Sequence, residues 1–441
     1  MLLYAILSIF AHITKTTSKM QKKSTNAWLW IPTLYFASGL PYHAITSISD
    51  IMYKDMGISN TDIALYTSIL LIPWTIKPLW SPFVEIFGTR RNWTLHAQVA
   101  LALCFAMVAL AIPSESFLLL TLGAFLLGAF VSATHDIALD GFYILGLTQE
   151  KQSFFSGIRN TFYRIATVFS SGILVMLANW LGKHFGNNTT AWSATFAATA
   201  LIMAILFIYH KRVLPKPEKD ISLTSNGISE VFRSFGDIIR TYFARPGIIS
   251  SILFLLLFRF PEAQLGKIGK LFLMDSTAAG GLGLDKGDIG FVNGVIGIIG
   301  LIAGGIAGGI CISRQGLRFW LWPMVIAISL PDAVYVYMSM AIPDSLTIIG
   351  CCVLIEQLGY GFGFTAYTLY MIYIAHGKYP TAHFAISTAF MSLGVMLPGM
   401  ISGKIQEWLG YENFFIWVMG CTAITFLVSA LIKIDPKFGR K

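Results

Sequence analysis

Twelve stretches of this chain are each about as long as an α-helix must be to cross the hydrocarbon core of a bilayer, roughly 20 predominantly apolar residues. They lie near 27–50, 62–87, 94–112, 116–145, 153–180 and 190–210, and, after a polar interval, near 246–274, 288–312, 318–341, 345–375, 380–402 and 412–433. Only 12% of the 441 residues are charged, where a soluble domain has about a quarter. The expected fold class is therefore an all-α membrane protein of twelve transmembrane helices in two six-helix bundles. Forty glycines and thirty-three phenylalanines suit close helix packing with aromatic, lipid-facing surfaces.

The basic residues fix an orientation. With the N-terminus in the cytoplasm, the inside segments collect Lys15, Lys19, Lys22, Lys23, Arg90, Arg91, Lys151, Lys211, Arg212, Arg245, Arg314, Arg318, Lys378 and Lys433 among others, whereas the outside loops hold only Lys54, Lys183, Lys286 and Lys404. That asymmetry places both termini in the cytoplasm and requires an even number of spans. The net charge of +9 is thus spread over short loops, which argues against a nucleic-acid partner.

These boundaries give an N-terminal cytoplasmic extension at 1–26, a first bundle at 27–210, a cytoplasmic linker at 211–245, a second bundle at 246–433 and a cytoplasmic tail at 434–441. The apolar run from Met1 to Ile13 is too short to span and lacks the basic start and small-residue cleavage pattern of a secretory signal. Met20, followed by Lys22 and Lys23, is an alternative start. The linker contains Pro215 and Pro217 and one amphipathic segment, Ile228 to Ala244.

A repeat is visible in the loops after the second and eighth spans. Ser81 to Arg91 contains Glu85, Gly88, Arg90 and Arg91; Gly309 to Arg318 contains Ser313, Arg314, Gly316 and Arg318. Gly88 aligns with Gly316 and Arg90 with Arg318. The first copy resembles the gating-loop signature of the major facilitators, in which glycine permits a tight turn and an acid pairs with basic residues at the cytoplasmic gate. Glu85 stands where that family usually has Asp, and Ser313 replaces the acid in the second copy. The alternative is that these arginines are only positive-inside anchors.

Charges at membrane depth cost several kcal/mol, so each must be paired, face water or serve transport. The fourth span carries His135, Asp136 and Asp140, the two aspartates one turn apart, and the fifth carries Arg159 and Arg164. Depth arithmetic at about 1.5 Å per residue sets Asp136 level with Arg164 and Asp140 near Arg159. A buried network of these four is expected, either a structural clamp or a proton- or solute-responsive switch. Lys77, among Pro73, Pro78 and Pro82, is a candidate for an anionic group, or else snorkels or pairs with Glu85. The seventh span presents Arg259, Glu262, Lys267 and Lys270 around Pro261, a candidate cavity wall. In the tenth, Glu356, beside Gln357 and Tyr360, is a candidate proton-coupling carboxylate, or a partner of Arg259 or Lys267.

The stretch Ala133 to Gly141, with Phe162-Tyr163-Arg164, resembles the anhydromuropeptide permease and acetyl-coenzyme A transporter branch of the major facilitators. Leu34 to Tyr42 and Pro73 to Pro82 are similar to the same branch, and the likeness is stronger in the first half than in the second. The resemblance implies the two-bundle major facilitator fold and proton-driven uptake of a polar solute by alternating access, with a muropeptide or other sugar-containing compound foremost. An acyl-coenzyme A or siderophore-like solute is the alternative.

A phosphate-cradling loop is missing, the titratable residues form no nucleophile constellation, and the five cysteines lie in apolar stretches without metal-ligand spacing. An enzyme, including a membrane-embedded transferase, and a sensor are therefore disfavoured. No cofactor or metal is expected. The chain reads as a monomeric carrier of a small solute and protons in a bacterial inner membrane.

Overall fold

The computed structural model describes residues 26–81, 84, 87–147, 149–217, 220, 225–376 and 379–439. The spans are numbered α1 to α12. α1 covers 27–55 as Ala27–His43, the π-helical turn Ala44–Ile48 and Ser49–Asp55, and α2 covers 60–79 as Asn60–Ile69, Ile72–Ile76 and the 3-10 turn Lys77–Leu79. α3 is Arg90–Ala111, α4 Phe117–Gly146, and α5 149–185, with a π-helical turn at Phe169–Leu174. α6 is Asn188–Val213, α7 Ile248–Met274, α8 Lys286–Gln315, α9 Leu317–Ala341 and α10 Leu346–Ala375. The final run, Pro380–Leu431, is broken at Gly410 (φ 74°) into α11 and α12.

Nine described helical runs are long and apolar enough to cross a membrane. One of these is the broken α11–α12 pair, and α1 and α2 are interrupted by turns, so the pattern is consistent with twelve spans. Local sequence accounts for the breaks. Pro41 removes an N–H from α1 just ahead of the π-turn, Pro73 and Pro78 interrupt α2, and Pro261 restarts α7 immediately after Arg259. Asn26, Ser59, Thr89, Asn187 and Asp285 cap the helices that follow them through their side chains.

Small residues set the tightest packing. On α8, Gly300, Gly304 and Gly308 lie one turn apart, and a Cβ at Gly304 would strike the Leu358 carbonyl of α10. Such a small-residue stripe lets two helix backbones meet, which is how helices associate where lipid is as apolar as leucine. On its other face α10 meets α9, where Gly359 sits under Ala327 and Pro331.

α1 runs to Asp55, about a turn past its expected end, so Asp50 and Lys54 belong to the helix. The linker contains a helix at Ser225–Phe243, and its Thr241 lies 3.1 Å from His383 of α11. Consecutive helices α4 and α5 barely touch, because α1 packs between them and contacts both.

Candidate functional site

Two layers of charge emerge. The first closes one end of the molecule, where α1 meets α2, α5 meets α6, and α7 meets α8. Asp50 is 1% exposed and accepts from Lys267 Nζ at 3.0 Å and Lys270 Nζ at 3.2 Å. Lys267 also donates to Thr67 Oγ1 at 2.8 Å. One turn outward the polarity reverses, with Lys54 of α1 on Asp275 at the foot of α7, at 2.6 Å. Asp275 further accepts from Tyr411, and Asn60 Nδ2 lies 2.7 Å from Gln406 Oε1. A third pair joins Lys286 of α8 to Asp55 at 2.8 Å, with the ammonium 5.9 Å from the centre of the Trp192 ring. On the rim, Lys183 of α5 meets Asp285 at 2.7 Å.

Each of these pairs joins the first bundle to the second. α2 and α11 seal the seam between them, since a Cβ at Gly403 would strike Asn60 and Thr61. Farther in, Thr75 donates to Ser392 at 2.7 Å.

The second layer lies deeper along the helices, toward the linker end, and contains several of the residues that sequence singled out. Arg259, at the break in α7, donates to Glu262 (Nε to Oε2, 2.9 Å) and to Tyr360 OH (2.7 Å), with Phe364 beneath its guanidinium at 5.1 Å. Across the interface Asp136 accepts from Ser38 at 2.7 Å, and the cation acting on it most strongly through space is Lys77. Tyr42 feels Arg259 and Glu262 from the opposite bundle and Asp136 from its own, and Arg164 acts on both His43 and Tyr360. Lys77 thus acts on Asp136 within the first bundle, and Arg164 acts on Tyr360 of the second. Neither the Lys77 nor the Arg164 side chain makes a hydrogen bond or ion pair among the described residues.

The expected four-residue network divides. Asp140 and Arg159 do approach, at 3.7 Å, with Tyr35 between them, donating to Asp140 (3.4 Å) and accepting from Arg159 (3.2 Å). Asp136 and Arg164 form no ion pair. Asp136 is held instead by Ser38 of α1, at 2.7 Å. His135 turns into the bundle core, where Gln98 joins it (3.2 Å) to His210 (3.0 Å), and His210 meets Thr33 (3.0 Å).

In the second bundle, Lys267 belongs to the closed end and not to the cavity wall. Glu356 pairs with neither Lys267 nor Arg259, and its carboxylate accepts from Gln357 Nε2 at 3.0 and 3.3 Å.

At the opposite end, which carries the linker, Gly88 (φ 82°) and Gly316 (φ 87°) make the expected turns. Glu85 lies outside the described residues. The backbone N–H groups of Arg90 and Arg91 donate to the two carboxylate oxygens of Asp220 at 2.8 and 3.0 Å, so a linker residue binds the α3 N-terminus. Arg91 also donates to the Lys211 and Leu214 carbonyls, while Arg314 and Arg318 are exposed.

Sequence reasoning overlooked Asp50, Asp55, Asp220, Asp275 and Asp332. Asp332, in Leu330-Pro331-Asp332 of the ninth span, was detectable by the same rule that flagged Glu356.

Comparison with known proteins agrees with this architecture. The Major Facilitator Superfamily profile matches residues 33–403. The anhydromuropeptide permease of Escherichia coli K12 is 26% identical over 407 residues, spanning 90% of this chain and 78% of that protein. A Rickettsia conorii protein carrying the transporter name AmpG 4 is 28% identical over 419 residues, 91% of this chain and 96% of the relative. Among solved structures, a bacterial homologue of the human lysosomal transporter Spinster aligns with a TM-score of 0.68 at 16% identity, over 93% of this chain and 97% of that one. A D-xylose-proton symporter aligns at 0.66 and 13%, over 93% and 98%. A transporter, not an enzyme, is the kind of protein these chains represent, and this chain belongs to the major facilitator superfamily.

Proposed function

We propose that the chain is a proton-driven secondary importer of an anionic, sugar-containing solute, a muropeptide foremost, that works by alternating access. The observation that carries this reading is the pair of cations deep in the first bundle, Lys77 and Arg164, each without an ion-pair partner among the described residues, with Arg164 acting through space on Tyr360 of the opposite bundle. Unpaired charge at such depth is costly and marks a solute pathway. Carboxylates of a peptide stem are suitable counter-charges. The rings of Tyr42 and Trp74, whose centroids are 4.9 Å apart, and of Tyr163 beside His43 offer apolar faces to a sugar.

With the charge-locked end outside and the linker end in the cytoplasm, as the basic loops require, the interbundle ion pairs bar the outward path in this conformation. The name of the Escherichia coli relative supports a muropeptide, and the cation pair suits an acyl-coenzyme A equally.

Uptake of labelled muropeptides, disaccharides, acyl-coenzyme A and siderophores into vesicles, with and without an imposed proton gradient, tests the reading. Muropeptide accumulation that needs the gradient and is lost in Lys77→Ala and Arg164→Ala is expected. Gradient-independent uptake, or variants that still accumulate, would sink it.

A further inference from the structure

A second feature lies inside the second bundle, nearer the closed end. Pro331 interrupts α9 with a 3-10 turn, Leu330–Asp332, that ends on a carboxylate 3% exposed. The bend rests on Gly359 of α10, where any side chain would collide with Ala327 and Pro331. Three residues before that glycine stands Glu356, 4% exposed. Counting from the end shared by the α9–α10 hairpin, Asp332 lies about 14 Å in and Glu356 about 15 Å in, so the two acids are level.

Their surroundings hold no cation to spare. Asp332 Oδ2 is buried without a hydrogen-bond partner among the described residues. Among the described residues Glu356 accepts only from the neutral amide of Gln357. Glu356 and Glu262 of α7 act through space on Asp332, Glu262 acts on Glu356 as well, and both acids of the pair act on the buried phenol of Tyr335. Glu262 is already bound to Arg259, and Lys267 and Lys270 are held by Asp50. α8, packed on the other face of α10, contributes glycines where it crosses Leu354 to Phe362. Three acids thus share one arginine.

We propose that Asp332 and Glu356 form a proton-holding carboxyl pair, the site at which the second bundle binds and releases the coupling proton. Two ionised carboxylates buried together without a countercharge carry a Born cost that no arrangement of one amide can offset, and a proton neutralises them more cheaply. The balance is simple: a proton from water forms an O–H bond on one carboxylate, and its return to water restores the charge. The link to the solute layer is Tyr360, one turn from Glu356 on α10, which accepts from Arg259. A change in that arginine's partners therefore alters the field at the pair. This coupling role rests on the reading of the chain as a proton-driven importer; the presence of the proton does not.

Infrared difference spectra of the purified full chain, titrated between acid and alkaline pH, test the pair directly. The wild type is expected to show the C=O stretch of a protonated carboxyl at neutral pH. Asp332→Asn and Glu356→Gln should each remove part of that signal and shift the titration of what remains. Mapping sites of modification by a hydrophobic carbodiimide, which attacks protonated buried carboxyls, makes the same test on the unaltered protein, with labelling of Asp332 or Glu356 expected at neutral pH and lost at alkaline pH. Spectra unchanged by both substitutions, or a chain in which neither residue is modified, would overturn the pair. Wild-type accumulation indifferent to the proton gradient would instead remove the importer reading, and the spectra would still decide the pair.

Discussion

Asp50 of α1 lies 3.0 Å from Lys267 of α7, so a single buried carboxylate, which also takes Lys270, ties the two bundles at mid-height of the closed end. Asp50 and Lys54 on α1 alternate in charge against Lys267 and Asp275 on α7, and the two helices are the first of their respective bundles. A charge pattern reversed between corresponding helices is self-complementary when the halves close. It also has no value once they separate, since each group then meets water.

That arrangement makes the lock the determinant of which conformation is populated. Asp50→Asn leaves two partly buried ammonium groups facing a neutral amide, a loss of up to about 3–5 kcal/mol, the figure for a fully buried pair broken on one side. Thr61→Cys, on the α2 face covered by Gly403, reports opening. Its labelling by a membrane-impermeant thiol reagent should rise sharply in the Asp50→Asn background. Unchanged labelling would show that the ion pairs do not hold the end shut.

The rim pair behaves differently. Partial burial pushes the Asp285 carboxyl up, but the hydrogen bonds from Lys183 and from the Asp288 backbone N–H, with the Lys183 charge, outweigh it and hold the carboxyl below its usual range. A folded-state value that is depressed means stabilisation present above the ordinary carboxylate range and lost as pH falls through the lowered value. The Lys183 side chain is largely exposed, so the effect is small and screened by salt. The melting temperature of Lys183→Ala is expected to lie slightly below wild type at neutral pH and to converge with it in acid. A gap that persists or widens in acid would contradict the assignment.

Because Asp136 and Arg164 form no ion pair and Asp136 is held by Ser38, exchanging charges between them gains nothing. The double variant Asp136→Arg with Arg164→Asp should express and transport no better than either single change. Asp136→Lys with Lys77→Asp is the exchange expected to recover function above its singles, because Lys77 is the cation whose field reaches Asp136. Recovery by the first double variant and not the second would restore direct α4–α5 pairing.

The glycine stripe of α8 gives a test of packing that touches no charge. Gly304→Val drives a branched side chain against the Leu358 carbonyl and, at 2.8 Å for its first carbon, the Phe362 nitrogen. Overpacking of this kind costs about 1–3 kcal/mol. Gly309→Ala, where nothing lies within 4 Å, is the matched control. Thermal unfolding in detergent should separate the two, and equal melting temperatures would mean that α8 and α10 do not meet as described.

How much of this was written in the sequence depends on the range of the interaction concerned. Hydrophobic run length is local, so the long apolar helices and the proline breaks in α1, α2 and α7 were legible directly. So was Arg259 with Glu262, three residues apart on one helix, and so were the turns at Gly88 and Gly316. The cost of burying charge likewise picked out Lys77, Asp136, Arg164 and Glu356 as residues needing a reason, whatever their neighbours. Partnership was another matter. Asp136 and Arg164 match in depth, yet the order of helices around a bundle is not their order along the chain, and Ser38 of α1 occupies the place that depth arithmetic gave to Arg164. Lys267 looked like part of a cavity wall because its own helix is polar there; its actual partner, Asp50, is 217 residues away. Asp275, Lys54, Asp55 and Lys286 read as ordinary loop charges until tertiary packing brought two bundle ends together and shielded them from water. The sequence by itself determined that these charges would have to be paid for; only the packing of the bundles decided which opposite charge, amide or proton would do so.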